Sequence, residues 1–442
     1  MEIHGRMKSW LTRIETSSLT RKIAIIAGSV VSAQVIQIVF TPLLTRVYGP
    51  DDLGLFGIYL SIVSIVMLVS SWSYEQAIPL PVEDRQAAGV AVLAVIILFL
   101  VTVLSALFVL AFRDPLIRFL NLQGIEPYLW ILPIAIFIWG FYRILNYWAI
   151  RKEAYSAIAR TNITQSLIKA LVQSGLGLVI AGPLGLILGN EIGQAGGFGP
   201  LIRTIYKDRN SATKITFPDL RNLLLRYRSF PLMTSGSMLL NNLGQQLPII
   251  LLAGVYSAEI VGFFSLSDRI IRSLVRTLGM AVAQVYIGAG SRILREDPLA
   301  LRALFDKLSR RLLLVGLVPC FLLIVLGPDL FVWVFGPAWR QAGIYTQILS
   351  PILLGQFVIY PLSQSAILVE RQSLQLMVDL LRTGTIILVF VISGIMERDA
   401  LFAIRLYSFA SLTIYVIYYF VYRKLIWNRS SELSATKQDV LE

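Results

Sequence analysis

The stretch LTRVYGPDDLGLFGIYLS (Leu44–Ser61) places a charged Gly-Pro corner between two long apolar runs. Gly49 and Pro50 are typical of a tight turn. Asp51 and Asp52 follow directly, where acidic side chains stabilise the positive end of a helix. The stretch therefore predicts a hairpin between two helices, with the second helix beginning at this corner.

The rest of the chain is as apolar as the runs beside this corner. Hydrophobic residues make up 56% of the chain, charged residues 15%, and the mean hydropathy is +0.72, whereas soluble domains carry about 25% charged residues. The apolar residues form runs of roughly 20, the length of a membrane-spanning helix. These runs are too continuously apolar for barrel strands. The composition predicts an all-α integral membrane protein.

The apolar runs predict twelve transmembrane helices. They lie near residues 23–45, 53–74, 87–112, 128–150, 157–181, 184–206, 229–254, 259–284, 308–327, 342–366, 373–396 and 401–422. Two further apolar segments, 114–122 and 329–339, are too short to span and are predicted to lie at the membrane surface.

The distribution of lysine and arginine predicts the orientation. With the N-terminus inside, 27 of the 39 basic residues fall in cytoplasmic segments, six fall outside and six fall within helices. The positive-inside rule then places both termini in the cytoplasm. This asymmetry accounts for most of the net charge of +13, so no nucleic-acid partner is needed to explain it. The basic linker 207–228 suits anionic lipid headgroups.

An internal repeat divides the predicted helices into two sets. At an offset of 208 residues, Gly28–Phe56 aligns with Gly236–Phe264, and both copies keep a Tyr-x5-Gly-x-Phe spacing. Six helices per half requires the halves to run parallel, as two six-helix bundles (6+6) related by a pseudo-two-fold axis normal to the membrane, with a substrate cavity between them. The predicted segments are an N-tail (1–22), a first bundle (23–206), the linker (207–228), a second bundle (229–423) and a C-tail (424–442).

Residue types exclude several chemistries. The single cysteine, Cys320, and the single histidine, His4, allow no internal disulfide, no Cys/His metal site and no His-centred catalytic triad. Cys320 lies in an apolar run, where we interpret it as a small buried hydrophobic residue. The tail 1–22 lacks the pattern of a cleaved signal peptide, so we expect the first helix to remain in the mature chain.

Charged residues within spans are costly and therefore mark candidate sites. Arg269, Arg272 and Arg276 lie on one face of the predicted helix 259–284, in a stripe about 10 Å long. The planar guanidinium group suits phosphate oxygens in a desolvated site. The alternative is that the lower arginines reach the membrane surface and anchor the helix. Asp268 is placed to pair with Arg272.

Six other ionisable groups lie in or at the ends of spans. Lys169 lies mid-span without an outlet to water and is a candidate for facing the cavity, and Arg143 is at least as well explained by reaching the membrane surface. Asp379 pairs with Arg382, which favours a structural role. Glu191 is a candidate ion site or a polar contact at a small-residue interface, and Glu75 is a candidate gating residue.

Uncharged polar groups are spread over several predicted helices. Together they would line a wet lumen, and singly each is explained by an interhelical hydrogen bond. They are Tyr142, Asn146, Tyr147, Asn162, Gln165, Gln173, Asn241, Asn242, Gln245, Gln246, Gln356 and Tyr360.

Several stretches resemble a known family. LLTRVYGPDDLGLFGIYLSI and SYEQAIPLP near the N-terminus, with VYSAEIVGFFSLSDRI and FGPAWRQAG further on, are similar to bacterial polysaccharide flippases. These O-antigen and exopolysaccharide repeat-unit translocases belong to the multidrug/oligosaccharidyl-lipid/polysaccharide exporter superfamily. The likeness extends over essentially the whole chain and implies the 6+6 arrangement.

The resemblance implies export of an undecaprenyl-pyrophosphate-linked oligosaccharide across the inner membrane, driven by an H⁺ or Na⁺ gradient and without a bound cofactor. Arg269 matches the family's basic position, whereas Arg272 and Arg276 follow from the helical face. A polysaccharide polymerase and a chain-length regulator are the expected protein partners of a monomer. Arg46, at the corner, is a further candidate contact for pyrophosphate.

Two other function classes compete with this interpretation. A multidrug or lipid-precursor exporter would share the fold, but the basic stripe favours an anionic substrate. A membrane polymerase or ligase would need a sizeable extracytoplasmic loop, and the predicted outer loops are short. A passive scaffold would not need charges within spans.

Overall fold

The computed structural model describes residues 2–120, 124–207, 215–231, 235–369 and 371–441. Within these ranges the chain forms helices and no β-strand, which confirms the all-α class. The α-helices are α1 (Glu2–Val47), α2 (Pro50–Met67), α3 (Asp84–Leu120), α4 (Leu132–Arg151), α5 (Tyr155–Gly177), α6 (Leu184–Gly196), α7 (Phe198–Lys207), α8 (Phe217–Arg226), α9 (Ser235–Val255), α10 (Ala258–Glu296), α11 (Ala300–Phe335), α12 (Arg340–Leu362), α13 (Ser365–Leu368), α14 (Gln372–Ile395) and α15 (Ala400–Leu441).

Eight helical stretches in the described part of the chain are long and apolar enough to cross a membrane. They coincide with the first four and the last four predicted spans. The four predicted spans between them correspond to α5, α6 with α7, α9 and α10. α6 and α7 are individually too short to span, at 13 and 10 residues, and α9 contributes the shorter apolar stretch Asn242–Val255. α5 and α10 carry charged and amide residues identified above. The protein is therefore a multi-pass membrane protein, and the total of twelve spans stays a prediction.

Several predicted helix boundaries are wrong. The span predicted over 184–206 is divided at Gly197 into α6 and α7, and α10 continues beyond residue 284 to Glu296. The second span was expected to continue to residue 74, but α2 ends at Met67. An irregular segment follows in which Trp72 and Ser73 have positive φ angles, a backbone conformation that ends a helix. The segments predicted to lie separately on the membrane surface are instead continuous with their helices, since α3 runs on to Leu120 and α11 to Phe335.

The chain divides into two compact units. The first comprises Met1–Tyr48, Ile62–Leu116 and Glu126–Leu239, and the second comprises Gly49–Ser61, Ile117–Ile125 and Leu240–Glu442. Residues 50–61 of α2 thus belong to the second unit and residues 62–67 to the first.

Each unit has its own buried core. In the first unit, α4, α5 and α7 meet at a cluster formed by Leu145, Ala149, Ile158 and Leu201. In the second, Tyr286 of α10 and Phe305 of α11 are fully buried aromatic residues. Packing of this kind is required in a bilayer, where van der Waals contact and interhelical hydrogen bonds hold helices together.

The corner at Gly49 has the predicted form. α1 ends at Val47, α2 begins at Pro50, and the Gly49 amide donates to Asp52 Oδ2 at 3.1 Å. This contact satisfies one of the free amide groups at the start of a helix.

The basic connection between the predicted bundles contains the short helix α8. Its N-terminus carries a capping box, in which Asp219 Oδ2 accepts from the Thr216 amide at 3.0 Å and from Thr216 Oγ1 at 2.8 Å. The same oxygen lies 2.9 Å from Arg85 Nη2 at the start of α3. These contacts lower the pKa of the Asp219 carboxyl below its ordinary value of 3.8. The hydrogen bonds from Thr216 lower this pKa more than the contact with Arg85 does.

Replacing Asp219 should loosen α8. Asp219→Asn removes the charge that the cap and Arg85 stabilise, so we expect faster hydrogen exchange of the α8 amides, measured by mass spectrometry. Because folding lowers the pKa of Asp219, its contribution is complete above pH 3.8 and disappears as the pH falls through the lower folded value. Glu83→Gln is the matched control, and equal exchange in both variants would contradict the role of the cap.

Candidate functional site

Two arginines on α10 lie in different surroundings. Arg272 Nε is 2.6 Å from Asp268 Oδ2, and Arg272 Nη2 donates to the Gln245 carbonyl oxygen at 2.9 Å. The predicted pairing of Asp268 with Arg272 is thus confirmed. Arg269 is half-buried, and no hydrogen bond or ion pair joins it to another of the described residues. Arg269 therefore keeps its donors available, whereas the charge of Arg272 is balanced within the fold.

The third arginine of the predicted stripe cannot be placed in the same way. Arg276 belongs to α10, but its side chain lies outside the described residues.

A second ion pair on α14 also matches the prediction. Asp379 Oδ1 lies 3.4 Å from Arg382 Nη2 at the i,i+3 spacing. The separation is long for a charge-assisted hydrogen bond, and the Nε and Nη2 atoms of Arg382 are buried without a hydrogen-bond partner among the described residues. The sequence identified the pair but contained no signal that Arg382 would lie near Arg272.

Arg143 forms a buried ion pair within the first unit, a contact that the sequence did not predict. Its guanidinium forms an ion pair with Glu75, whose side chain is completely buried, and Nη1 donates to the Met67 carbonyl at 3.3 Å. Ser71 Oγ donates to the other Glu75 oxygen. Glu75 lies in the 3-10 helix Tyr74–Ala77 rather than at the end of α2. Arg143 thus joins the end of α2 to the segment that follows it.

Arg151 lies two turns further along α4 and contacts the next part of the segment between α2 and α3. Its guanidinium donates to the carbonyl of Pro81 at 2.6 Å and of Val82 at 3.2 Å, and lies 2.8 Å from Asp84 Oδ1. Pro81 is buried and lies outside a helix, so its carbonyl needs such a partner. Sequence reasoning missed this role, because carbonyl acceptors leave no pattern in the residue types.

Lys169 and Glu191 lie at the interface between α5 and α6. The helices approach so closely that a Cβ added at Gly193 would lie 2.6 Å from the Lys169 Cα, and one added at Gly189 would lie 2.9 Å from the Gln173 Cα. Lys169 is half-buried at this contact. The α6 glycines therefore pack in the way that small residues do at helix interfaces.

Glu191 is buried, with neutral donors at both carboxylate oxygens. Trp139 Nε1 donates to one oxygen at 3.0 Å and Asn190 Nδ2 to the other at 2.9 Å. This geometry is that of a polar contact between helices, one of the two interpretations open for Glu191. In the described part of the chain no three Asp, Glu, His or Cys side chains form a group suited to a metal ion.

Several predicted lumen residues form interhelical hydrogen bonds. Tyr142 Oη donates to Asn162 Oδ1 at 3.3 Å, and Asn162 Nδ2 donates to Ser29 Oγ at 3.2 Å. Gln165 and Gln173 donate to carbonyls of α6. For these four residues the contacts agree with the second interpretation, in which each polar side chain forms an interhelical hydrogen bond.

The repeated corner places its residues in equivalent roles. Tyr48 Oη donates to the Gln173 carbonyl at 2.7 Å in the first unit, and Tyr256 Oη donates to the Arg398 carbonyl at 2.9 Å in the second. Each tyrosine therefore joins the end of its helix to a backbone carbonyl, in α5 for Tyr48 and in the connection between α14 and α15 for Tyr256. Arg46 is exposed in the last turn of α1, where a cation also stabilises the helix end.

Comparison with known proteins identifies the family. Residues 43–343 match the sequence model of a family described as polysaccharide biosynthesis protein. The chain belongs to this family. A search of curated proteins gave no match.

The solved structures that the chain resembles are membrane transporters. An inward-facing multidrug resistance MATE family transporter of the MOP superfamily superposes with a TM-score of 0.69 at 14% identity, over 91% of this chain and 96% of that one. Lipid II flippase MurJ in an inward closed conformation gives a TM-score of 0.69 at 13% identity, over 94% and 92%. A MOP superfamily transporter from Pyrococcus furiosus gives 0.61 at 15%, over 93% and 96%.

At these identities the likeness shows the fold alone. The polysaccharide biosynthesis protein therefore has the fold of MOP superfamily transporters, as the resemblance implied. The solved structures named above are described as transporters and a flippase.

Proposed function

We propose that the protein is a flippase that moves an undecaprenyl-pyrophosphate-linked oligosaccharide repeat unit across the cytoplasmic membrane by alternating access. Membership of the polysaccharide biosynthesis family is the observation that carries this proposal. A transporter fold within such a family implies transport of a polysaccharide precursor rather than its synthesis. Lipid II flippase MurJ, a solved neighbour, is named for a lipid-linked substrate, which supports the same substrate class.

The proposed topology is that predicted from the basic residues. Twelve helices in two six-helix sets place both termini in the cytoplasm, with the membrane being the bacterial inner membrane. The transported unit serves O-antigen, capsule or exopolysaccharide synthesis. A monomer working with a polymerase and a chain-length regulator would complete the pathway.

Arg269 is the residue to which we assign the pyrophosphate. An arginine in a span is costly unless its charge is compensated, and Arg272 obtains this compensation from Asp268 at 2.6 Å. Arg269 is half-buried and unpaired within the described residues, so an anionic group on the substrate would supply its counter-charge. Guanidinium and phosphate form bidentate hydrogen bonds. Arg276, Lys169 and Arg46 remain proposed secondary contacts.

Removing Arg269 should abolish export of the glycan while leaving the protein folded in the membrane. We expect Arg269→Ala to bind polyprenyl pyrophosphate about tenfold to a hundredfold more weakly, the loss expected when a charge-assisted hydrogen bond is removed. Arg269→Lys should be intermediate, because an ammonium group keeps the charge but loses the bidentate geometry. Binding is measured with purified protein, and export by surface glycan in cells that carry only the variant.

Arg405→Ala is the matched control, since Arg405 is an exposed arginine of the same unit. It should bind and export as the unaltered protein does. Full glycan export by Arg269→Ala at a normal protein level would overturn the site assignment. Export of a cationic dye together with undiminished surface glycan in a deletion strain would instead favour a multidrug exporter.

The driving force is proposed to be an H⁺ or Na⁺ gradient. Glu75, Glu191 and Asp379 are the candidate coupling carboxylates, and each already contacts a donor or a cation of the protein. An ion that couples transport would have to compete with these partners. Dependence of export on one gradient, tested with selective ionophores, decides between the two ions.

A further inference from the structure

A small pocket inside the second unit is lined by two arginines. Arg272 of α10 and Arg382 of α14 both border it, and no carboxylate is among the described residues that line it. Their partners Asp268 and Asp379 are not part of the lining, so the wall of the pocket is positively charged. The remaining lining residues are Gly244, Gln245, Gln356, Ile386, Tyr407, Ser411, Ile414 and Tyr415.

Arg382 has hydrogen-bonding capacity that the protein leaves unused. Its Nε and Nη2 atoms are both buried without a hydrogen-bond partner among the described residues. Its ion pair with Asp379 is long, at 3.4 Å. Buried donors of a charged group are costly when they remain unsatisfied, and two donors on one edge of a guanidinium suit a single acceptor placed between them.

Gly244 on α9 leaves the space in front of this guanidinium. A Cβ at this position would lie 3.2 Å from Arg382 Nη2 and 2.7 Å from Thr383 Oγ1. A glycine in a helix is otherwise unfavourable by about 1 kcal/mol relative to alanine. Its presence here keeps the pocket open beside Arg382.

The size of the pocket limits its occupant. Its volume is about 30 Å³, whereas a single water needs roughly 10–15 Å³ by the same measure. A monatomic anion fits this space, and a pyrophosphate or a lipid headgroup does not. The amide and hydroxyl groups of Gln245, Gln356 and Ser411 supply further donors for an anion.

We propose that this pocket is a halide site in which chloride bridges the two arginines of the second unit. A bound chloride accepts from Nε and Nη2 of Arg382 and supplies the negative charge that the lining of the pocket lacks. It thereby holds α9, α10 and α14 together in the interior of the unit. This site is separate from the pyrophosphate contact proposed at Arg269, and it does not depend on that proposal.

The test compares chloride with gluconate at constant ionic strength, using thermal unfolding of the purified full-length protein in detergent. We expect a saturable rise of the melting temperature with chloride, on the order of 2–4 °C at saturation. Bromide should act similarly, because its size and charge are close to those of chloride. Sulfate, which is too large for the pocket, should have no effect beyond that of gluconate.

Two variants and one control test whether the rise of the melting temperature with chloride comes from this pocket. Arg382→Met removes the unused donors, and Gly244→Ala fills the space beside the guanidinium without removing a charged side chain. Each variant should lower the apparent chloride affinity at least tenfold. If Arg382→Met does not fold, the chloride affinity of Gly244→Ala tests the location of the site. Arg423→Met is the matched control, because Arg423 of the same unit pairs with Asp306 at 3.3 Å away from the pocket; its response should be unchanged.

Three results would overturn the proposal. The first is a melting temperature that does not depend on chloride, which would mean that the pocket holds water only. The second is an equal effect of sulfate, which would indicate a general salt effect. The third is an unchanged chloride response in Gly244→Ala, which would place the anion elsewhere.

Discussion

Glu75→Leu is expected to destabilise the first unit by about 3–5 kcal/mol, because it leaves the Arg143 guanidinium without its counter-charge in a buried site. The Glu75 side chain is completely buried, and that of Arg143 is 15% exposed. Arg143→Met should be comparably damaging, since it leaves the Glu75 carboxylate unpaired and the Met67 carbonyl without its donor. Both variants should show reduced protein in the membrane and a lower melting temperature.

The double variant distinguishes a pairwise interaction from two separate roles. When both charges are replaced by apolar side chains, no isolated charge remains, and such replacements of buried pairs are often close to neutral. We therefore expect Glu75→Leu/Arg143→Met to lose much less stability than the sum of the two single changes. Melting temperatures of all four proteins form a double-mutant cycle.

An exposed ion pair provides the control for this cycle. Arg340 lies 3.1 Å from Asp329, with both side chains more than half exposed, and surface pairs contribute about 0–1 kcal/mol. Removing either partner there should change the melting temperature little. Strict additivity in the Glu75 and Arg143 cycle would show that the two side chains do not stabilise each other.

Local patterns in the sequence predicted the structure well. Asp268 with Arg272 and Asp379 with Arg382 are three or four residues apart on a helix, so the helical geometry alone brings them together. The corner at Gly49 was predictable for the same reason, because turn formation and helix capping depend on neighbouring residues.

Local sequence patterns could not predict contacts between residues that are far apart in the sequence. Glu75 and Arg143 are far apart in sequence, and the ion pair depends on the break after Met67. That break was missed because its positive φ angles occur at Trp72 and Ser73 rather than at glycines, the residues that normally signal such a conformation. The pocket beside Arg382 was missed because it requires side chains from several helices.

The two copies of the repeated corner meet in a reciprocal contact. A Cβ at Gly54 would lie 1.8 Å from the Ala258 carbonyl oxygen, and a Cβ at Gly262 would lie 1.8 Å from the Pro50 carbonyl oxygen. Gly54 thus faces the carbonyl four residues before Gly262, and Gly262 faces the carbonyl four residues before Gly54. Both sides of this contact belong to the second unit.

Alanine at Gly54 or Gly262 should therefore be strongly disruptive. The obstructing atoms belong to backbone carbonyls, which cannot rotate away as a side chain can, so α2 and α10 would have to separate. We expect each variant to lose most glycan export and to melt at a clearly lower temperature. Because the contact is reciprocal, the two substitutions should have similar effects, and the double variant should be less damaging than the sum of its parts.

Alanine at two further glycines is expected to lower the melting temperature less or not at all. A Cβ at Gly57 would lie 2.6 Å from Ser265 Oγ, a side-chain atom that can turn aside, so Gly57→Ala should be mild. Gly28 has open space at its Cβ position, and Gly28→Ala should be neutral or slightly stabilising because alanine favours a helix. If Gly54→Ala melts no lower than Gly28→Ala, the close approach of α2 and α10 does not exist in the membrane-embedded protein.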